Sequence, residues 1–336
     1  MRNIKNIVLI TILFTSIYLH AGRFAGDFLE IGSGVRALGM GGAFVAVADD
    51  ASTIYWNAAG ISQLDEAEIN IMRAYLYDGL AYYDNLTYCQ PLPNNVTIGL
   101  NWTRLTIDEI PLFPEEELVY NVDMRSSFPD LNLSGQPNGF FMSTDDIFQF
   151  AFSKHIHYDI NFGWLFFKLP LDLHFGGNIK YIKRKIFNNL GKGTGFDFSV
   201  LTKTDLKVLT DQDWMGELAF GFNFQDVGGT VITWDTESNH EDEILFNTKI
   251  GFAFFQPLEF INSELIFSID KDYVYEAISH YGAELNYNNI ISARLGYYDS
   301  NFSTGMSIKL YNFNVDYAFV TNVLGNTNRV GLRIYF

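Results

Sequence analysis

A single cysteine, Cys89, stands in a chain of 336 residues, which excludes a disulfide framework and any cysteine-rich zinc site. Basic residues are also few. The 22 Lys+Arg face 39 Asp+Glu, a formal net charge of −17, and so acidic a chain is poorly suited to phosphate-backbone binding, where Lys and Arg supply most of the affinity. Charged residues make up only 18%, yet beyond the N-terminus no apolar run reaches the ~20 residues that a membrane helix needs. Aromatics are abundant instead, with 31 Phe, 19 Tyr and 5 Trp, and they exclude intrinsic disorder. Length alone allows two or three soluble domains or one large β architecture.

The N-terminus points to export. Arg2 and Lys5 precede an uncharged run from Ile7 to Leu19, and Ala21 puts a small residue before Gly22. A positive start, a short apolar stretch and a small residue at the cut describe a cleaved secretory signal peptide over residues 1–21. No cysteine lies at the cut to carry a lipid anchor.

After residue 66 the recurring pattern is alternation with period two. Val96, Ile98, Leu100 and Trp102 alternate with Thr97, Gly99, Asn101 and Thr103; Val330, Leu332, Ile334 and Phe336 alternate with Arg329, Gly331, Arg333 and Tyr335. Successive strand residues point to opposite faces, so each such segment has one apolar and one polar or small face. Fourteen segments follow, near 68–77, 80–90, 95–105, 146–155, 168–180, 194–204, 215–225, 245–256, 262–271, 279–286, 290–298, 302–310, 313–320 and 328–336. Connections after even-numbered strands are mostly short, although 156–167 and 205–214 are longer. Those after odd-numbered strands include the long Thr106–Asp145 and Asp226–Ile244. A soluble β-sandwich would alternate too, with its apolar face buried on a second sheet. An even count of amphipathic, aromatic-rich strands behind a signal peptide fits a transmembrane antiparallel β-barrel of residues 66–336 better, with aromatic girdles at both interfaces.

Residues 22–65 are different: rich in Gly and Ala, with a β-like run at Gly42–Ala48 and a short helix starting near Ala51, capped by Asp49 or Asp50. A fourteen-strand barrel is too wide for its wall side chains to fill, so a compact plug in the lumen is physically reasonable. The stretch GSGVRALGMGGAFVAVADDASTIYWNAAG closely resembles the N-terminal signature of the PorV/PorQ family of FadL-like outer-membrane proteins. HYGAELNYNNIISARLGYYD is similar to that family's paired strands, and FNVDYAFVTNVLGNTNRVGLRIYF to its final hairpin. The family's Asn-Pro-Ala-Gly run appears here as Asn57-Ala58-Ala59-Gly60, while Asp49, Asp50, Trp56, Asn57 and Gly60 match. The resemblance implies a bacterial outer-membrane barrel of fourteen strands with an N-terminal hatch, whose motif includes Arg36, Gly39, Gly41 and Gly42. It also implies two alternative roles, type IX-like protein export or surface attachment, and FadL-like passage of hydrophobic small molecules.

The remaining patterns point to no chemistry. Gly39-x-Gly41-Gly42 and Gly191-x-Gly193-x-Gly195 lack the strand–turn–helix setting and the Lys-Ser/Thr of a phosphate loop, and read as turns or close packing. His155 and His157 share one face at a strand end, where a surface metal site or merely a polar strand end would fit. Alternation sets Asp270, Glu284, Arg294 and Asp316 opposite the apolar face of their strands. Charges facing lipid near midplane cost ~2–4 kcal/mol for Arg or Lys, so these four should point inward, to hold the hatch (with Arg36 as its contact) or to gate a path. The acidic excess concentrates in 106–145, with eight acids against Arg125, and in 226–244, with six acids and no Lys or Arg. Such runs read as solvated outer loops, and the longer is able to serve as a lid or a docking surface. The expectation is a non-enzymatic barrel without cofactor or metal. Its expected partners are outer-membrane lipid, the barrel-assembly machinery through the strand ending in Phe336, and either secretion components and secreted proteins or a hydrophobic ligand.

Overall fold

The alternating segments form strands in the computed structural model, which describes residues 26–113, 137–161, 163, 168–273 and 277–336. The expected signal peptide at 1–21 and residues 22–25 of the expected hatch lie outside the described residues. The described residues form sixteen strands: β1 Glu68–Leu76, β2 Ala81–Leu92, β3 Val96–Leu112, β4 Gly139–Asn161, β5 Lys168–Ile186, β6 Asn189–Asp205, β7 Glu217–Gln225, β8 Thr230–Trp234 and β9 Glu241–Ile244. The rest are β10 Asn247–Leu258, β11 Ser263–Asp272, β12 Ile278–Tyr287, β13 Ile291–Tyr298, β14 Asn301–Leu310, β15 Phe313–Val320 and β16 Thr327–Tyr335.

Every strand except the β8–β9 hairpin pairs antiparallel with its neighbours around a ring. β1 meets β16 from Glu68↔Tyr335 to Tyr75↔Asn328, β7 meets β10, and β5 meets β6. The chain is a closed fourteen-strand antiparallel barrel. Closure leaves no open edge in the ring, which is how a sheet satisfies its backbone groups in lipid. No helix among the described residues is long and apolar enough to cross a membrane.

One end of the barrel holds the start of β1, the end of β16 and the turns at 93–95, 288–290 and 311–312; it is called the turn end here, and the opposite one the loop end. Residues 205–214, expected as a longer connection, hold a short helix, Leu206–Thr210, whose first turn is fixed by the Asp205 carboxylate accepting from the Lys207 amide at 2.8 Å. At the loop end two expectations change. Thr106–Leu112 and Gly139–Asp145 continue β3 and β4 as paired strands, joined across a bulge between Ile107 and Ile110 where Glu109 takes a φ of +53°. The bulge absorbs Asp108-Glu109, two charges that interrupt the alternation and make the segment read as loop. The span 226–244 is likewise not plain loop: β8 pairs with β6 over Gly191–Gly193 and extends the wall beyond the end of β7.

The outer surface of the barrel carries a broad apolar band. Phe148, Phe150 and Phe152 on β4, Phe196 and Phe198 on β6, and Phe220 and Phe222 on β7 all stay exposed. In a soluble sandwich these residues would be covered by a second sheet. Here nothing among the described residues covers them, which is the arrangement of a wall that faces lipid.

Residues 26–65 lie inside the ring and are mostly buried. They contain two short α-helices, Val35–Gly39 and Thr53–Trp56, and two 3-10 helices, Asp27–Leu29 and Ala58–Gln63. The helix expected from Ala51 begins at Thr53 instead, because the Asp50 carboxylate accepts from the amide of Ser52 at 2.9 Å and turns the chain just before it. Gly42–Ala48, expected to be β-like, is a series of turns. The surrounding ring has no free edge to pair with, so this backbone bonds to wall side chains instead.

Candidate functional site

The lumen has two chemically distinct ends. Close to the turn end, buried charges form a closed circuit between plug and wall. Arg36, on the first plug helix, donates through Nε to Glu284 Oε2 at 2.9 Å and through Nη2 to Glu284 Oε1 at 2.8 Å. Its Nη1 pairs with Asp49 and lies 3.7 Å from Asp50. Glu284 also pairs with Arg294, which reaches Ser307 Oγ at 2.5 Å and Asp316 at 3.3 Å. Asp316 takes two bonds from Arg333, at 2.9 and 3.1 Å, and Arg333 lies 3.7 Å from Asp50, returning the circuit to the plug. Burial works against the charge on Arg36, but Asp49, Glu284 and Asp50 together raise its guanidinium well above the ordinary range.

Of the four wall charges expected to point inward, Glu284, Arg294 and Asp316 thus sit in one circuit. Asp270 is inward too but lies elsewhere, accepting from the Val45 amide at 2.7 Å. It belongs to a second set of contacts that answers a physical need: an irregular backbone in a water-poor lumen must find partners for its N–H and C=O groups. The wall supplies them. His280 meets the Gly41 carbonyl at 2.7 Å, Ser153 donates to Ala59 O at 2.6 Å, Ser303 to Gly39 O at 3.2 Å, and Gln225 to Tyr55 O at 3.1 Å. Among the motif residues, Trp56 donates to the Ser33 carbonyl at 2.7 Å, and Asn57 spans from Val45 O at 2.7 Å to the Ala59 amide, which it caps. Gly41 has a φ of +68° and lies so near the wall that a Cβ would come within 2.7 Å of the Tyr297 amide nitrogen. At Gly60 a Cβ would fall 2.0 Å from the Ala48 carbonyl oxygen; Gly39 and Gly42 are also closely packed, against Gly305 and Trp56.

Nearer the loop end, a different kind of site was not foreseen from sequence. Inward-facing Leu105, Ile147 and Ile182 meet Ile232 and Trp234 of β8 and Ile244 of β9, and Phe28 and Leu29 of the plug insert among them. The signal was available. Ile147 beside Phe148, and Ile182 beside Tyr181, put apolar residues on both faces of their strands. Arg184 borders this cluster, with its guanidinium 4.8 Å from the Phe28 ring centre, 5.7 Å from that of Trp234, and paired with Asp145 at 2.9 Å.

Two acids that read as members of solvated outer loops are buried instead, Asp145 on β4 and Asp226 just past the end of β7. Asp145 is buried on Arg184, and Asp226 is buried on Lys180, which also holds Asp197, both at 2.8 Å. The low dielectric of the packed lumen favours such pairing over solvation. Glu115–Glu117, Asp123 and Asp130, with Arg125, lie outside the described residues. His155 and His157 both bond the Asp172 carboxylate, at 2.7 and 2.9 Å, and His155 stacks on His174. Among the described residues no group of three or more His, Cys, Asp or Glu is arranged to hold a metal ion.

Two cavities of about 210 and 550 Å³ open at the turn end, lined by charged and polar groups such as Arg36, Asp49, Glu68, Glu284 and Arg333. A space of about 20 Å³ beneath the apolar cluster, between Glu30, Lys180 and Gln225, admits little more than a water molecule. In this conformation none of the three is an apolar tunnel.

No family model and no curated protein matches the chain. Solved structures similar to it are outer-membrane barrels. The Pseudomonas putida toluene transporter TodX is 10% identical, with a TM-score of 0.46, covering 90% of this chain and 96% of that one. A Pseudomonas aeruginosa FadL homologue is 9% identical, with a TM-score of 0.47, covering 90% and 98%. Omp33 of Acinetobacter baumannii is 8% identical, with a TM-score of 0.42, covering 81% and 98%. Likeness at this level carries no substrate or mechanism, and the PorV/PorQ resemblance has no family match behind it. The closed strand pairing itself and the apolar outer surface make this chain a fourteen-strand barrel of the outer-membrane type.

Proposed function

We propose that the protein is a non-enzymatic outer-membrane channel for small hydrophobic molecules, closed in this structure by residues 26–65 acting as a hatch. The turn end then faces the periplasm and the loop end the exterior. One observation carries the reading: the inward face near the exterior holds an apolar cluster, bordered by paired charges such as Arg184 and Asp145. A lumen that serves water-soluble solutes is polar throughout, as in porins. Here Ile147, Ile182, Ile232, Ile244 and Trp234 form an apolar seat, and the plug's own Phe28 and Leu29 occupy it. A hydrophobic molecule arriving from outside competes for the same contacts, at ~0.8 kcal/mol for each CH₂ it buries, and so loosens the plug's outer end. The charge circuit keeps the inner end fixed. This reading agrees with the small-molecule passage implied by the FadL-like resemblance, and it replaces the export role as the main one.

The test is whole-cell uptake of N-phenyl-1-naphthylamine through an outer membrane that otherwise excludes it. Cells carrying the native chain should fluoresce faster than cells carrying an Ile182→Asn, Ile232→Asn variant at equal barrel level. Equal rates sink the proposal, as does equally accelerated entry of a hydrophilic dye, which would mark a leaky barrel.

A further inference from the structure

Six charged residues lie in one hydrogen-bonded row across the outer surface of the wall. Arg73 stands opposite Asp84, Asp84 opposite Arg104, Arg104 opposite Asp146, Asp146 opposite Lys183, and Lys183 opposite Lys192. Their strand neighbours Met72, Tyr83, Thr103, Ile147, Ile182 and Gly193 are buried inside, so strand alternation directs all six outward.

The row is not level. Strands of such barrels tilt by about 35–45°, so a line of paired residues climbs as it crosses them. Arg73 lies only five residues from the turn-end start of β1, whereas Lys192 lies thirteen from the turn-end limit of β6. The low part is neutralised within the protein. Arg73 pairs with Asp84 at 2.6 and 2.8 Å, and Arg104 with Asp146 at 2.7 and 2.9 Å; Trp102 Nε1 also donates to Asp146 at 3.0 Å. Acyl chains offer no partner for a charge, so pairing there is what the surroundings require.

The high part is different. Lys183 and Lys192 are exposed and directly opposed, and Lys185 occupies the next outward place on β5. Among the described residues none of the three has an ion pair; of the carboxylates in their row, Asp146 is already held by Arg104 and Trp102, and Glu241 lies one strand further on, beyond Thr233 of β8. Opposed like charges destabilise a sheet unless something neutralises them. The next outward residue below Lys183 is Tyr181, a half-exposed aromatic of the kind that settles where acyl chains give way to headgroups. The lysines therefore begin just beyond an aromatic residue of the interfacial kind.

We infer that Lys183, Lys185 and Lys192 form a seat for the anionic phosphate headgroup of an outer-leaflet lipid. Three ammonium groups on adjacent strands surround one phosphate, and the aromatic and apolar band below holds its acyl chains. This site lies on the outside of the wall, independent of any passage through the lumen.

Native mass spectrometry of the full chain in neutral detergent tests it, with phosphatidic acid as probe, phosphatidylcholine as the zwitterionic control and inorganic phosphate as competitor. The native chain should retain phosphatidic acid selectively. A Lys183→Gln, Lys185→Gln, Lys192→Gln variant should bind it roughly tenfold or more weakly. Lys154→Gln, which changes an outward lysine near the turn end, should bind as the native chain does. Unchanged binding in the triple variant overturns the inference, as does equal retention of phosphatidylcholine or full displacement of the lipid by equimolar inorganic phosphate. Heat-modified gel mobility confirms folding. Should the triple variant fail to fold, Lys192→Gln alone carries the test, with a loss of about fivefold expected.

Discussion

The two ends of the lumen hold the same plug by different balances of charge and apolar contact. At the turn end, Arg36 is locked to Glu284 and Asp49 inside a circuit that runs through Arg294, Asp316, Arg333 and Asp50. At the loop end, Phe28 and Leu29 rest among Ile147, Ile182, Ile232, Ile244 and Trp234, with Arg184 over the Phe28 ring and one ion pair, Glu30 to Lys249 at 3.3 Å, beside them. A buried ion pair that loses one partner leaves the other charged and unsolvated, so a charge circuit resists partial opening. Apolar contact is non-directional, and one apolar group replaces another at little cost. The charged end suits an anchor and the apolar end suits a movable seat.

The largest effect should come from breaking the anchor. Glu284→Gln leaves Arg36 and Arg294 facing a neutral amide, and the cost should be about 3–5 kcal/mol in the denaturant midpoint of the heat-modified gel shift. Asp49→Asn, on the same arginine but 28% exposed, should cost under about 1 kcal/mol. Equal effects would mean that the circuit does not act through burial. Next in size is Gly41→Ala, which places a Cβ at a φ of +68° against the Tyr297 amide; a loss of about 1–3 kcal/mol is expected. A neutral result would show that the plug floats free of the wall there.

The smallest stability change belongs to the other end. Phe28→Leu should cost only about 1 kcal/mol, because it keeps most of the buried apolar volume while removing the ring. It should, however, raise acrylamide quenching of Trp234, read as the difference from the same variant carrying Trp234→Phe. No rise in quenching would mean that Phe28 does not cover the seat, and the contrast between the two ends would fail.

Much of this was legible beforehand, for a definite reason. Strand alternation is a local property, and a residue two places from an exposed Phe faces the same way in any sheet. The inward placement of Asp270, Glu284, Arg294 and Asp316 needed nothing more. Strand ends were less legible. Asp108-Glu109 reads as loop because a bulge that absorbs two charges leaves no periodic trace. Asp145 and Asp226 read as solvated because their partners, Arg184 and Lys180, come from a different strand. The Gly42–Ala48 run reads as β-like because its composition suits a strand, while the lack of a free edge inside a closed ring is a property of the whole barrel.

The amino-acid sequence by itself determined the class of molecule: fourteen amphipathic strands, an apolar outer surface, a small-residue segment ahead of them, and the side of each strand on which a charge falls. Tertiary structure alone decided which charges meet. Arg36 and Glu284 are 248 residues apart, and only ring closure brings them within 2.8 Å. It also decided that Phe28, Ile147, Ile182 and Trp234 share one pocket, and that Lys183 and Lys192 face each other across a strand pair. Pattern sets the face of a residue, because that depends on its own strand. Register and closure set its neighbours, because those depend on every other strand at once.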